Sequence, residues 1–307
     1  MFLVGAERSG TTLLRLMLDH HPRICFNAEF EFVVDRVSED GDYPPLPDYL
    51  EWLETESMFL AAGLRVDRTA SYPVLVHSFL AQRLVDTGKS IVGATVHRHF
   101  ERLTHLWPDA RFLHLVRNPR DVAPSCVEMG WAGNVWTGVE RWIEAERCAD
   151  RLRPRIPADR WLEERYESLV SDPVASLSRI CAFLGVEYDD RMLAYPASTT
   201  YGPVDPSLAN RWRERLSDRD VRLVEARVGP LLASRGYEAS GLEPRHVNSA
   251  AEWCLRAQDW VARVRFRVRR FGLLLVASEF LLRRLGLRSL QKPLRLRIQE
   301  INASYRR

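Results

Sequence analysis

The chain opens on MFLVG, an unbroken apolar run of the kind a strand presents when a parallel sheet buries it on both faces. The glycine-rich stretch GAERSGTT (5–12) follows. Beyond it, in TTLLRLMLDHH, Leu13, Leu14, Met17 and Leu18 recur at helical spacing. Two further runs, SIVGATVH (90–97) and RFLHLV (111–116), read as strands leading into helical patterning, and RWLEERY (160–166) reads as a fourth. Residues 30–87 are patterned mostly as helix, with a proline break at YPPLP (43–47), and helices are expected over 135–152, 173–184 and 218–234. Strands separated by helices predict an α/β fold with a parallel sheet. Ligands of such folds gather at the carboxyl ends of the strands, here just after Gly5, Val96, Val116 and Arg165.

Residues 251–307 differ in character. Trp253, Trp260, Val264, Val268 and Phe271 fall on one helical stripe, with Arg256, Arg263, Arg267 and Arg270 beside it. This segment carries 14 Lys or Arg against 4 Asp or Glu, so the preceding residues are net negative although the whole chain is +3. The division expected is an α/β domain over 1–250 and a basic helical extension over 251–307. Such an extension suits either an anionic membrane surface or the acidic body of its own domain. FGLLLVASEFLL (271–282) is shorter than the ~20 apolar residues a membrane crossing needs, and Glu279 interrupts it. The five cysteines are scattered, with no C-x-x-C pair, which argues against a disulfide framework or a zinc site. With an apolar strand directly after Met1, the expectation is a cytoplasmic protein, soluble or membrane-associated.

The glycines of GAERSGTT have the spacing of a nucleoside-triphosphatase phosphate loop, but Thr11 stands where that loop has lysine. Only Lys89 and Lys292 occur in the whole chain, and Arg8 supplies the cation instead. Glycines in such a loop aim consecutive N–H groups inward at a helix N-terminus, making a nest for an anion. Ser9, Thr11 and Thr12 add hydroxyls, and the guanidinium of Arg8 suits phosphate or sulfate oxygens. Read alone, the stretch is also a capped helix start; directly after a buried strand, the anion nest is the expected reading. A second anion site is expected in RFLHLVRNPRDVAPSC: Arg117 ends a strand, Asn118-Pro119 turns the chain, and Ser125 follows on the next helix. Read alone, that is also a capped helix with a surface pair at Asp121. Together, the two sites describe a nucleotide with phosphates at both ends of its ribose.

GAERSGTTLL followed by RFLHLVRNPRDVAPS resembles the two cofactor motifs of the sulfotransferases. The resemblance implies a P-loop-type parallel sheet and a donor, 3′-phosphoadenosine 5′-phosphosulfate (PAPS), with no metal required. Arg8, Ser9, Gly10, Thr11 and Thr12 would hold its 5′-phosphosulfate, and Arg117 and Ser125 its 3′-phosphate. LMLDHHPRICFNAEFEFV resembles the stretch that carries the catalytic glutamate in tyrosylprotein and related bacterial sulfotransferases. The carry-over places that general base at Glu29, with Glu31 as competitor. RYESL puts Tyr166 near the cofactor, and ANRWRERLSDRD makes Arg211 an anion contact, with Ser198 in the same region. Where relatives carry a lysine after the middle strand, this chain has Thr95, so His97, with Arg98 and His99, is the expected substitute beside Arg8. The acceptor class implied is a small molecule, glycan or peptide, not a nucleic acid. Trp131, Trp136, Trp142, Phe30 and Tyr43 read either as lining of its cleft or as core. Two rivals are a kinase- or NTPase-like enzyme, which would need lysine at Thr11, and a non-catalytic nucleotide-binding protein that acts through its tail.

Overall fold

The computed structural model describes residues 1–285, 293–294 and 296–301. Five strands, β1 (Phe2–Val4), β2 (Ile24–Glu29), β3 (Ile91–Val96), β4 (Phe112–Val116) and β5 (Trp161–Arg165), form one sheet in the order β2-β3-β1-β4-β5. Every pairing is parallel. The helices lie on both faces. α1 (Thr11–Asp19) follows β1, and α2 (Leu46–Leu53), α3 (Ser57–Ala62) and α4 (Tyr72–Thr87) lead into β3. The short α5 (Leu103–Leu106) precedes β4, and α6 (Pro119–Glu128), α7 (Val135–Gly138) and α8 (Glu140–Leu152) follow it. After β5 come α9 (Tyr166–Ser171), α10 (Pro173–Leu184), α11 (Trp212–Arg215), α12 (Asp218–Val228), α13 (Leu231–Ser234), α14 (Ser249–Phe271) and α15 (Leu273–Arg284).

The pleat explains why β1 is apolar throughout. Leu3 joins Leu14, Met17, Leu113, Leu169 and Ile180 in a core beneath α1, α9 and α10. Phe2 and Val4 face the other way, into a core with Val76 and Phe79 of α4, Val122 of α6 and Trp142 of α8. Both faces are covered, as a parallel sheet requires.

Three expectations change. Residues 24–29 form a fifth strand at the sheet edge, in a stretch with no strand expected. The helix expected over 135–152 is two, meeting at Val139, and that over 218–234 breaks at Gly229-Pro230. Phe30, Trp136 and Trp142 belong to the core and do not line a cleft, whereas Tyr43 is exposed and stacks on Tyr72.

The basic extension docks on the body through α14. Asn248 caps it by accepting from the Ala251 N–H. Asp259 is buried and accepts from the Gly133 N–H (2.6 Å) and the Thr137 hydroxyl (2.7 Å), while Asn134 donates to the Leu255 carbonyl at 2.8 Å. The expected stripe is therefore not the docking face: Trp253 and Trp260 on it point outward. The expectation for 251–307 at residues 286–292, 295 and 302–307 lies outside the described residues. Among those described, no helix is long and apolar enough to cross a membrane.

Candidate active site

The loop after β1 is shaped by two glycines. Gly5 has φ 143°, and a Cβ there would lie 2.3 Å from the Leu115 carbonyl of β4, so only glycine fits where the two strands run side by side. Gly10 has φ 91°, and a Cβ there would lie 2.3 Å from the Tyr166 ring. Between them, Arg8 takes a left-handed conformation (φ 68°), a strained choice for a non-glycine residue that is favoured where the surroundings impose it. α1 then starts with no side-chain cap and no acid in its first turn. Its leading N–H groups and the positive end of its dipole are left facing the loop. The Ser9 hydroxyl is buried and has no hydrogen-bond partner.

The end of β4 meets this loop. Arg117 donates through Nη1 to the Arg8 carbonyl (3.2 Å) and through Nη2 to the Leu208 carbonyl (2.9 Å). Its guanidinium lies 4.0 Å over the Tyr166 ring, and its own carbonyl accepts from the Trp142 indole at 2.8 Å. Arg8 in turn donates through Nε to the Ser125 hydroxyl at 2.9 Å. Thus Arg8, Gly10, Arg117, Ser125 and Tyr166, up to 158 positions apart in sequence, share one cluster. Thr11 and Thr12 open the helix beside it.

The turn after Arg117 is held from several sides. Glu167 accepts from the Asn118 N–H (2.9 Å) and the Tyr237 hydroxyl (3.0 Å). Asn118 reaches Asn210 at 3.4 Å, and Asp121 accepts from the Trp212 N–H at 2.7 Å. These contacts bring the segment bearing Arg211 to the same end of the sheet. Asp121 is buried, with its carboxyl pushed up by burial, so it is not a member of a surface pair. Ser198 lies elsewhere. It pairs with His20 at the last turn of α1 (2.8 Å), about 13 Å along that helix from the loop at 1.5 Å per residue. The 195–198 turn packs on α1, with Tyr195 edge-on to His20.

Glu7, the acid inside the loop, is neutralised by Arg141, whose guanidinium also lies 4.9 Å from the Trp131 ring centroid. The sequence did not single out Arg141 and Trp142 of α8 or Glu167 of α9 as supports of the site, because both helices are remote in sequence from the loop they brace.

On the other side of β1, the β2–β3 ladder shifts register between Asn27 and Glu29, bringing Glu29 opposite Thr95. Glu29 is exposed and borders a cleft of about 320 Å³ that is also lined by Arg15, Phe26, Met58, Leu64 and Arg83. Glu29 ends a strand, so it is not a helix-starting acid. Glu31 is buried between Phe30 and Phe32 of the core. One carboxyl oxygen accepts from the His97 N–H (2.9 Å), and the other is buried without a partner. Burial pushes the Glu31 carboxyl up to about 7, with His97 opposing the shift. The His97 ring bonds the Gly5 carbonyl through Nδ1 at 2.9 Å; a carbonyl only accepts, so Nδ1 carries the proton. The Thr95 hydroxyl is buried without a partner. Arg98 is held by Asp35 in a two-bond ion pair (2.9 and 2.6 Å).

A helix start without a cap, an unpartnered Ser9 hydroxyl in a glycine-shaped cradle, and two arginines at its rim are the donor set a phosphorylated group requires. With fold and site in place, comparison with known proteins gives the class. The pattern described as the sulfotransferase family matches residues 1–190. The chain belongs to the sulfotransferase family, and it is a transferase that moves sulfuryl groups.

Protein-tyrosine sulfotransferase A of Caenorhabditis elegans is 22% identical over 270 residues, covering 80% of this chain and 69% of that protein. Protein-tyrosine sulfotransferase 2 of Gallus gallus is 24% identical, covering 80% and 71%. The nodulation protein NoeE of Sinorhizobium fredii is 27% identical, covering 78% and 66%. In fold, the chain is similar to the sulfotransferase domain of a Synechococcus olefin synthase (TM-score 0.53, 23% identity, 73% of this chain and 92% of that one). Neither the kinase-like nor the non-catalytic reading is favoured.

Proposed function

We propose that the sulfuryl donor is PAPS, and that the acceptor is a hydroxyl or amine approaching from the Glu29 side. The observation that carries this reading is the seat of the Arg117 guanidinium, bonded to the Arg8 carbonyl at 3.2 Å. One rigid ligand can then touch the loop and the β4 end at once, as a nucleotide with phosphates on both sides of its ribose demands. The loop amides, Arg8, Ser9, Thr11 and Thr12 would hold the 5′ end; Arg117 and Ser125 would hold the 3′-phosphate, with Tyr166 beneath Arg117 and Arg211 nearby. When bound, PAPS supplies an activated sulfuryl group and leaves as adenosine 3′,5′-bisphosphate.

The chain's own part is to orient and to move one proton. Donors preorganised where charge develops are usually the largest catalytic contribution. Arg8 and the α1 N–H groups supply them; His97 at the β3 end, whose Nδ1–H is spent on the Gly5 carbonyl, would add a donor at Nε2 only with its ring doubly protonated. Glu29 takes the acceptor's proton, because its carboxylate is open to a cleft. Burial raises the Glu31 carboxyl, but Glu31 spends one oxygen on the His97 backbone and is sealed in the core. Its role in this reading is to fix His97 against the Gly5 carbonyl.

The relatives named for tyrosine in proteins support a peptide acceptor. The cleft beside Glu29, with Met58 and Leu64 next to Arg15 and Arg83, suits a partly apolar group carrying acidic or polar substituents. Five free cysteines, four of them buried, are what a reducing cytoplasm maintains. The test is transfer of radiolabelled sulfate from PAPS to a panel of phenols, sugars and tyrosine peptides, with nucleotide binding measured in parallel. Labelled product with no metal added is expected. Failure to bind adenosine 3′,5′-bisphosphate, or turnover of Mg-ATP in its place, would overturn the reading.

A further inference from the structure

The geometry points to the α14–α15 hairpin as a docking surface for an anionic lipid bilayer, independent of sulfuryl transfer. Its amphipathic order is reversed from that of a helix packed on a soluble protein. On α15 and just beyond its end, Leu273, Leu274, Leu281 and Leu285 lie outward, each at least 57% exposed and Leu274 at 84%. The inner side of the same helix holds Glu279, which is buried and bonded to Arg267 at 3.0 Å. On α14, Trp253 and Trp260, two turns apart on one stripe, are 71% and 63% exposed. Leu255 and Asp259 face the body.

The charges follow the same division. Residues 249–285 contain eight arginines and three acids. All three acids are paired within the protein: Glu252 with Arg227 and Arg256, Asp259 with Arg263 and the Gly133 and Thr137 donors, Glu279 with Arg267, which leaves the hairpin with an excess of five arginines. Among the described residues of the hairpin, the outer surface thus combines large apolar side chains with an excess of cations, and each of its three carboxylates is held in an ion pair.

This combination identifies the occupant. Tryptophan and leucine enter the headgroup–acyl boundary, arginine stems lie along it with their charged ends among the phosphates, and each cation near an anionic surface adds attraction. A protein partner would need an acidic rim to match the arginines and an apolar groove for the leucines. A bilayer containing anionic lipid supplies both over any area. The hairpin would lie in the interface plane, since neither helix is long and apolar enough to cross.

The experiment is co-sedimentation of the full chain with vesicles of phosphatidylcholine alone and of phosphatidylcholine with phosphatidylserine, at low and high salt. Binding to the mixed vesicles, weakened by salt and nearly absent on phosphatidylcholine, is expected. The double substitutions Leu274→Glu with Leu281→Glu and Trp253→Ala with Trp260→Ala should each reduce partition by about tenfold or more. Their circular dichroism, unfolding midpoint and sulfuryl transfer in solution should be unchanged, because none of the four residues supports the core or the site. Two outcomes would overturn the proposal. One is equal vesicle binding by the wild type and the double glutamate variant, or none by either. The other is a concentration-dependent dimer in the ultracentrifuge that the same substitutions abolish, which would assign the face to a second copy of the chain.

Discussion

The two sides of β1 are built by different means. Toward β4 and β5, the site is cationic and cross-braced: Arg117 grips two carbonyls and an aromatic face, and Arg8 grips Ser125. Toward β2 and β3 it presents two carboxyl groups in different settings: Glu29 stands open to a cleft that Arg15 and Arg83 also line, while Glu31 is sealed behind it, with an oxygen and the Thr95 hydroxyl unpartnered. The difference matches what each side would do. Groups that hold a preformed anion gain from being fixed before it arrives, since no reorganisation is then needed at the moment of reaction. A general base must reach a substrate that enters and leaves, so it cannot be sealed in.

The largest expected effect breaks the acidic side. Glu29→Gln should lower turnover by ~10²–10⁴-fold while leaving nucleotide affinity unchanged by calorimetry. Glu31→Gln should keep most of the turnover. The reverse result would assign the base to Glu31.

Next in size is a break on the cationic side. Gly10→Ala forces a methyl group to 2.3 Å from the Tyr166 ring at φ 91°. It should cost about 1–3 kcal/mol in denaturant unfolding and weaken nucleotide binding. Adding Tyr166→Ala should recover part of the stability, and an additive loss would show that the ring contact is not the cause.

The smallest effect sharpens the comparison through pH. The Glu31 carboxyl rises from an ordinary 4.5 to about 7 on folding. A raised carboxyl favours the folded state while protonated, so its contribution is complete below about 4.5 and is lost as pH climbs through about 7. Wild-type stability should therefore fall relative to Glu31→Gln across that window, by about 1–3 kcal/mol in total. Parallel stability curves for the two proteins would contradict the buried, proton-holding role.

The cationic side was legible in the sequence because its chemistry is local. A strand, a glycine loop and a helix follow one another without interruption, and Arg117 to Ser125 occupy one turn and one helix. The acidic side was less so. β2 escapes because only Ile24, Cys25 and Phe26 are apolar before Asn27, and because its pairing with β3 spans more than 60 residues. The burial of Glu31 is likewise invisible: acids read as exposed, and only the packing of Phe30 and Phe32 draws this one inside. The position of Ser198 is likewise set by contacts with α1 that no local pattern announces. For α14, the periodic stripe was read correctly as amphipathic. Which face would dock depended on Asp259 finding the Gly133 and Thr137 donors, a match made only in three dimensions.

The central claim is that one nucleotide spans the loop and the β4 end. Isothermal titration of adenosine 3′,5′-bisphosphate and adenosine 5′-monophosphate, into the wild type and Arg117→Ala, tests it most directly. The wild type should prefer the bisphosphate by about 10–100-fold, the worth of one charge-assisted arginine–phosphate contact. Arg117→Ala should bind the two ligands almost equally. The same preference in both proteins would mean that Arg117 does not touch the 3′-phosphate, and the account would be wrong.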